Sequence, residues 1–166
     1  MQIIPVTDKL TAQQFIQSAV VINKKDTNWI RPLDKDINEV FDKEKNKAFR
    51  FGEVTRWILK DDAGKLIGRI AAFINKKYKN KGDEVPVGGI GFFECINDQV
   101  AADLLLDNGK HWLLQHEMEA MDGPINFDWG TGSPDGSVGA DAFAARWTGQ
   151  VQPRYSQTYT FYTTTD

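Results

Sequence analysis

The stretch GKLIGRIAAFIN (residues 64–75) limits the possible folds more than any other part of the chain. Successive side chains of a β-strand point to opposite faces, so a strand with one solvated face is apolar only at alternate positions. Here both predicted faces are apolar, and such a strand must be covered on both sides. The first face holds Leu66, Ile70, Ala72 and Ile74, and the second holds Ile67, Ala71 and Phe73. We therefore expect a central strand in a sheet with helices above and below.

The neighbouring segments predict further strands. The run EVTRWILK and the turn signal DDAG that follows it predict a β-hairpin with the central strand. The stretch VPVGGIGFFECI (85–96) predicts a third strand that starts near Pro86, and EAMDGPINF (119–127) is a fourth candidate. The segment between them, at 97–118, has the periodicity of an amphipathic helix. A strand–helix–strand unit of this kind joins parallel strands through a right-handed crossover.

The helix at 97–118 has a predicted N-cap and a predicted buried side. Asn97 or Asp98 is expected to cap its first turn. The expected buried side consists of Val100, Ala101, Leu104, Leu105, Trp112 and Leu113.

The first fifty residues predict one strand and two helices. QIIPV (2–6) is a short apolar strand, and the segment 10–23 has a broad apolar stripe of helical period. Thr7 or Thr11 is the expected cap of that helix. A short surface helix is expected at 36–47. The resulting order of strand, helix, helix, three strands, helix and strand predicts an α/β (α+β) fold with a mixed sheet.

Composition excludes several classes of function. A chain of 166 residues with 41% apolar residues can fill a core, and its net charge of −3 gives no electrostatic case for binding nucleic acid or anionic membranes. The N-terminus has no leader-like pattern and no run could span a bilayer, so a cytoplasmic protein is expected. Cys95 is the single cysteine, and His111 and His116 are poorly spaced for a metal pair, so we expect no metal site.

Three glycines in the third predicted strand, Gly88, Gly89 and Gly91, have two explanations. Glycines inside a strand often mark a bulge or a close approach to the backbone. The strand leads into a helix N-terminus, which suits an anion such as pyrophosphate. A strand backbone that binds a pantetheine arm, with phosphates at the next helix start, is the physical basis of acetyl-CoA binding. Alternatively, the glycines only let Trp57 or Phe73 pack against the sheet.

Residues 1–127 resemble the GNAT superfamily of acyl-CoA N-acyltransferases. The matching segments, in the family's order, are WIRPL (29–33), GKLIGRIAAFIN (64–75), GGIGFFE (88–94) and GPINF (123–127). The resemblance implies a mixed, strongly curved sheet flanked by helices. It also implies transfer of an acetyl group from acetyl-CoA to a small-molecule amine, with a backbone N–H of the central strand polarising the thioester carbonyl.

The resemblance also implies two groups of site residues on and after this strand. The backbone around Phe92 and Phe93 would contact the cofactor. Glu94 is the carboxylate nominated as general base for the amine proton. A solvent-facing Glu94 opposite a lysine is the alternative.

The predicted pyrophosphate loop departs from the family's pattern. That pattern is Arg or Gln, two residues, Gly, one residue, and then Gly or Ala. The corresponding places hold Ile96, Gln99 and Ala101, and only Ala101 fits. The backbone of Gln99, Val100 and Ala101 is the candidate cofactor contact, but Asp98 would repel a phosphate there.

Residues 126–166 resemble a different family, the protective-antigen-type β-barrel module of toxins, glycosidases and adhesins. The matching segments are NFDWGTGSP, RWTGQVQP and TYTFYTTTD. In sugar-binding members, an aspartate pair after the TYTFY strand helps to hold calcium, and Asp166 stands where the first of that pair would be. We therefore expect a GNAT-like domain at 1–127 and a Thr- and aromatic-rich β segment at 128–166, joined near Asn126 as a chimera.

The C-terminal segment leaves another interpretation open. ADAFAARW (140–147) favours a helix and QTYTFYTTT (157–165) favours a strand, so together they could complete the acyltransferase sheet. In that case Tyr155, Tyr159 or Tyr162 could protonate the leaving thiolate, although packing aromatics are the alternative. Without such docking, an exposed sheet edge would support oligomerisation.

Three functions follow from these patterns. The first is an acetyl-CoA-dependent N-acetyltransferase. The second is a catalytically inactive or chimeric scaffold, which the altered loop favours. The third is the remnant of a carbohydrate-binding module, which only the C-terminal segment favours.

Overall fold

The computed structural model of the chain describes residues 1–77 and 85–123. The elements within them are β1 (Gln2–Pro5), α1 (Lys9–Ile22), α2 (Asp34–Val40), a 3₁₀ helix (Lys47–Arg50), β2 (Gly52–Lys60), β3 (Leu66–Asn75), β4 (Val87–Cys95), α3 (Gln99–Gln115) and β5 (Ala120–Asp122). The chain divides into two units, residues 1–125 and 126–166, and all described residues belong to the first.

The described strands form one mixed sheet in the order β1-β2-β3-β4-β5. Neighbouring strands from β1 to β4 are antiparallel. β5 lies parallel to β4, because α3 crosses over between them. The predicted hairpin, the parallel crossover unit and the mixed, curved sheet flanked by helices are therefore confirmed.

β3 is a central strand, and both of its faces are covered as predicted. One face packs in a cluster with Leu105 of α3, and the other packs in a cluster with Phe15 of α1. Ile70, Ala72 and Ile74 belong to the first cluster, and Ala71 and Phe73 to the second. The two helices thus cover opposite faces of the sheet.

The first two residues of β3 lie on the faces opposite to those predicted. In the pairing with β2, Leu59 is opposite Gly68 and Lys60 is opposite Leu66, so Ile67 is an extra residue. An extra residue of this kind reverses the alternation of side chains on one side of it. Leu66 therefore packs with the α1 cluster, and Ile67 with the α3 cluster.

The N-cap of α1 is Asp8, so the prediction of Thr7 or Thr11 was wrong. The N–H of Thr11 donates to Oδ1 of Asp8 at 2.7 Å, and the N–H of Asp8 donates to Oγ1 of Thr11 at 3.1 Å. This reciprocal arrangement is a capping box. Both residues are short and polar, and the sequence pattern could not tell the cap from the third helical residue.

Two helices differ from their predictions. α2 spans Asp34–Val40 instead of 36–47, and residues 47–50 form the separate 3₁₀ helix. In α3, Val100 and Leu104 are 59% and 38% exposed instead of buried. The buried row of α3 repeats every four residues and consists of Ala101, Leu105, Gly109 and Leu113.

Several predictions fall on residues that the structure does not describe. The expected helix at 140–147, the expected strand at 157–165 and the domain boundary near Asn126 all lie outside the described ranges. Within those ranges, no helix has the length and apolar character to cross a membrane.

Candidate functional site

β4 contains a bulge at Phe92 and Phe93, because these two residues lie opposite Ile70 alone on β3. Phe92 has a φ of 52°, in the left-handed region that a phenylalanine seldom adopts. β5 pairs with β4 only over Val87–Gly89, so among the described residues no strand lies beside the bulge on that side. The backbone that the family resemblance nominates is therefore distorted, and within residues 1–77 and 85–123 it has no neighbouring strand on that side.

Four aromatic rings anchor this bulge. We call Phe15, Phe41, Phe73 and Phe92 the phenylalanine cluster. The centroids of its contacting rings lie between 5.1 and 6.2 Å apart. Phe15 is fully buried, whereas the other three rings are partly exposed. The cluster thus fixes the unusual backbone of Phe92 and presents an aromatic wall that solvent can reach.

Packing accounts for two of the three glycines in β4. A Cβ at Gly88 would overlap a leucine side chain of α3, and a Cβ at Gly91 would lie 3.2 Å from Cε2 of Phe73. A Cβ at Gly89 would have a single neighbour among the described residues, the carbonyl oxygen of Asp122 at 3.8 Å. The packing explanation therefore holds for Gly91, which lies against Phe73. At Gly89, by contrast, packing does not require a glycine.

Glu94, the predicted general base, is paired with Arg69 and not with a lysine. Its Oε2 accepts a hydrogen bond from Nε of Arg69 at 2.5 Å, and its Oε1 accepts one from Nδ2 of Asn23 at 3.1 Å. Arg69 also donates to the carbonyl oxygen of Phe15 at 3.1 Å. Burial lowers the pKa of the Arg69 guanidinium, and the charge of Glu94 opposes that shift. Through its hydrogen bond from Asn23, the C-cap of α1, Glu94 links the C-terminal end of that helix to the C-terminal end of β4.

The first turn of α3 contains the other predicted cofactor contacts. The backbone N–H groups of Gln99 and Val100 have no acceptor among the described residues, whereas the N–H of Ala101 donates to Oδ1 of Asp98 at 2.9 Å. Asp98 is therefore the N-cap, one of the two residues predicted. Its carboxylate lies where an external anion would gain from the same N–H groups and from the helix dipole.

Cys95, before the start of α3, and His111 and His116, near its C-terminal end, are the residues considered for a metal site. Burial and, second, the charge of Asp98 raise the pKa of the Cys95 thiol. His111 and His116 each contact a carbonyl oxygen of α3 through Nδ1. No group of three or more His, Cys, Asp or Glu residues that could hold a metal ion occurs within residues 1–77 and 85–123.

Sequence reasoning missed three residues near the bulge. Arg69 had a visible signal, since it is the one charge in the run LIGRIAAF. Asn23 and Arg56 had no comparable signal, because their surroundings depend on how distant segments meet across the sheet. Tyr155, the candidate acid, lies outside the described residues.

No protein-family model matches the chain. The bacterial ceramide synthase of Caulobacter vibrioides is 26% identical over 126 residues, which is 76% of this chain and 33% of that protein. The anti-sigma-I factor RsgI3 of Acetivibrio thermocellus is 63% identical over 46 residues, which is 28% of this chain and 7% of that protein. The matches thus span a third or less of the length of these relatives.

Solved acetyltransferase structures share the fold. The aminoglycoside 6'-N-acetyltransferase AAC(6')-IG of Acinetobacter haemolyticus matches with a TM-score of 0.57 and 15% identity, over 77% of this chain and 81% of that chain. AAC(6')-Iy in complex with a CoA-containing bisubstrate analog matches with a TM-score of 0.52 and 15% identity, over 82% and 84% of the two chains. These matches show that the chain has the fold of GNAT acetyltransferases.

Proposed function

We propose that this chain is an N-acyltransferase that transfers an acetyl group from acetyl-CoA to a small-molecule amine. The observation that carries the proposal is the bulge at Phe92 and Phe93, which lies beyond the part of β4 that the described β5 pairs with. A bulge leaves backbone groups without ladder partners, and N–H groups at such a place can bind a thioester carbonyl oxygen.

Besides binding its two substrates, the protein must stabilise the developing oxyanion and accept a proton. The amine nitrogen attacks the thioester carbon, negative charge develops on the carbonyl oxygen, and bulge N–H groups stabilise that charge. The C–S bond then breaks and an amide forms. The amine gives up one proton, and the leaving thiolate takes up one. The chain must therefore supply a proton acceptor or a water path to one.

Two comparisons support this chemistry. A ceramide is an amide of a long-chain amine, so the name of the Caulobacter relative implies N-acylation, and its match covers 76% of this chain. The AAC(6')-Iy structure holds an analog that joins CoA to an acetylneamine. The first match supports N-acylation as the proposed reaction class, and the second supports CoA as the proposed acyl carrier.

Glu94 remains the candidate general base, acting through Oε1. Oε2 is held by the buried guanidinium of Arg69, whereas Oε1 accepts the longer bond from Asn23. A proton acceptor at Oε1 would have to share or release that bond. Tyr155 remains the candidate acid for the leaving thiolate.

A catalytically inactive scaffold is the second candidate, and Asp98 favours it. Its carboxylate already caps α3 and accepts from Ala101. A diphosphate at this helix start would find the N–H groups of Gln99 and Val100, but it would also lie beside a negative charge. The helix start therefore fits the diphosphate of acetyl-CoA only in part.

Titration calorimetry and thermal unfolding with acetyl-CoA test both candidates. A ligand at about 100 times its Kd stabilises the fold by roughly 2.7 kcal/mol, which raises the Tm by about 5–11 °C for a chain of this length. The Asp98→Asn variant, which keeps a capping side chain without the charge, should bind more tightly than the parent chain. If neither protein binds acetyl-CoA, the enzyme proposal falls. If both bind but no amine is acetylated in a screen, the scaffold is favoured.

We also infer that the chain is a composite of two pieces, as the two family resemblances predict. One stretch of 46 residues is 63% identical to an anti-sigma factor, whereas 126 residues are 26% identical to a ceramide synthase. Such different degrees of similarity within one chain support separate ancestries. A carbohydrate-binding remnant at 128–166 would bind polysaccharide in affinity electrophoresis, and unretarded migration on a panel of glycans would contradict it.

The cellular location, the partners and the self-association of the protein are further parts of the proposal. A cytoplasmic location, a small-molecule acceptor and no nucleic-acid or membrane partner remain predictions from the sequence. β1 and β5 are the outer strands of the described sheet, so they are the edges through which chains could associate. Sedimentation at several concentrations would measure that association.

A further inference from the structure

Arg56 of β2 has a charged side chain in aromatic surroundings. Its Cζ lies 4.0 Å from the ring centroid of Phe41 and 5.4 Å from that of Phe15. Within residues 1–77 and 85–123, the guanidinium forms no ion pair and donates no hydrogen bond. Arg69, which is more deeply buried, is by contrast matched by Glu94. The charge of Arg56 is thus left unbalanced by the described part of the chain.

Partial burial makes this unbalanced charge costly. Loss of hydration lowers the pKa of Arg56 to about 10, so the side chain is still protonated at neutral pH. The contact with the Phe41 ring offsets part of the lost hydration. An anion from a ligand would offset more of it. The residue is half-buried, so part of it is open to solvent.

The position of Arg56 relates it to the bulge. Arg56 is paired with Ala71, and Ala71 is paired with Gly91, so one long side chain and two small residues form a row across the sheet. The Phe41 ring centroid lies 4.0 Å from Cζ of Arg56 and 5.1 Å from the Phe92 centroid, so Cζ is at most about 9 Å from the Phe92 centroid. A small molecule held at Arg56 would therefore lie close to the bulge.

We infer that Arg56 binds the carboxylate of an apolar amino acid, and that this amino acid is the acyl acceptor of the proposed function. Its amino group would be directed towards the bulge, and its side chain would pack against the partly exposed rings of the phenylalanine cluster. The inference rests on the proposed function for the role of acceptor, but not for the binding site itself.

The chemistry of the guanidinium favours a carboxylate. A guanidinium that lies over a ring keeps its N–H donors in its own plane, where they form a fork that matches the two oxygens of a carboxylate. A polycation such as an aminoglycoside would instead be repelled by the same charge. The acceptor should thus differ in charge from the substrates named for the structural neighbours.

Binding measurements on the full chain test the site without relying on turnover. The probes are L-phenylalanine, 3-phenylpropionate, which lacks the amine, and L-phenylalaninamide, which lacks the carboxylate. Arg56→Gln removes the charge, and Arg56→Lys keeps the charge but removes the fork. We expect both acids to bind the parent chain, with affinity reduced roughly tenfold or more in Arg56→Gln and by less in Arg56→Lys. The amide should bind the parent chain as weakly as the acids bind Arg56→Gln.

The outcomes separate this inference from the proposed function. Equal binding of phenylalanine and its amide by the parent chain, or no binding of either acid, would overturn the inference. Unchanged binding of the acids by Arg56→Lys and Arg56→Gln would do the same. Carboxylate-selective binding without acetylation from acetyl-CoA would keep the site and reject the enzyme. Acetylation of the amide as fast as the acid would keep the enzyme and reject the site.

Discussion

Replacing Glu94 with leucine should destabilise the fold strongly, because it leaves a buried charge without its partner. The Arg69 side chain is 4% exposed, whereas that of Glu94 is 24% exposed. Removing one member of a buried ion pair costs about 3–5 kcal/mol. The carbonyl oxygen of Phe15 still accepts from Arg69 in the variant, and the position of Glu94 is partly exposed to water. We therefore expect the low end of that range, about 3 kcal/mol.

A double-mutant cycle shows whether this loss comes from the pair itself. Arg69→Met alone should cost less than Glu94→Leu, because the carboxylate that remains can be hydrated. The double variant should then be more stable than the sum of the two changes predicts, by about 2 kcal/mol. An apolar pair in place of a buried ion pair leaves no uncompensated charge.

Urea and thermal unfolding of the full chain measure these differences. For a chain of this length, 3 kcal/mol corresponds to a fall in Tm of about 6–12 °C. The matched control is Glu39→Leu, because Glu39 pairs with Lys45 at 3.2 Å on the surface, where an ion pair contributes about 1 kcal/mol or less. If Glu94→Leu costs no more than the control, or if the cycle is additive, the burial argument is wrong.

Three further predictions concern the β4 strand and the two helix starts. Gly88→Ala should lower the free energy of unfolding by about 1–3 kcal/mol, because the added Cβ would overlap a side chain of α3. Gly89→Ala should change it by less than about 1 kcal/mol. Equal losses of stability in urea unfolding would contradict the packing described for this strand. Asp98→Asn should lower the pKa of Cys95 and speed its alkylation by iodoacetamide at mildly alkaline pH, and an unchanged rate would show that the thiol does not sense this charge. Hydrogen bonds to the ionised carboxylate lower the pKa of Asp8, so its stabilising effect is present above the ordinary aspartate pKa and is lost as the pH falls through the lowered value. The stability difference between the parent chain and Asp8→Ala, followed by circular dichroism, should therefore become smaller in acid, and a difference independent of pH would refute the role of the ionised cap.

The architecture was predictable because it depends on patterns that cover whole segments. A strand that is apolar on both faces requires a layer on each side, and α1 and α3 supply those layers on β3. The order of strand, helix and strand likewise fixed the parallel pairing of β4 and β5. Both inferences tolerate errors at single residues, since many side chains contribute to each pattern.

The faces and the caps were less predictable because each depends on one residue. The extra residue Ile67 reverses the alternation at the start of β3, and nothing in its own identity marks it as a bulge. On α3, Ala101, Leu105 and Leu113 are buried as predicted, but Val100 and Leu104 lie beside that row and are exposed, so the predicted buried stripe was one residue too wide. Such local shifts follow from the packing of whole elements, which a single sequence does not display.

The candidate site was predictable in its strand but not in its chemistry. A backbone N–H site depends on conformation, and any residue type can supply it, so the sequence could point to Phe92 only through neighbouring glycines and a family resemblance. The two carboxylates near this strand already have partners within the protein. Glu94 is paired with Arg69, and Asp98 caps α3. Arg56 has no ion pair and no side-chain hydrogen bond within the described residues. If the proposed acyltransferase activity is found, its selectivity for a substrate should therefore depend on Arg56 more than on the carboxylates that the sequence singled out.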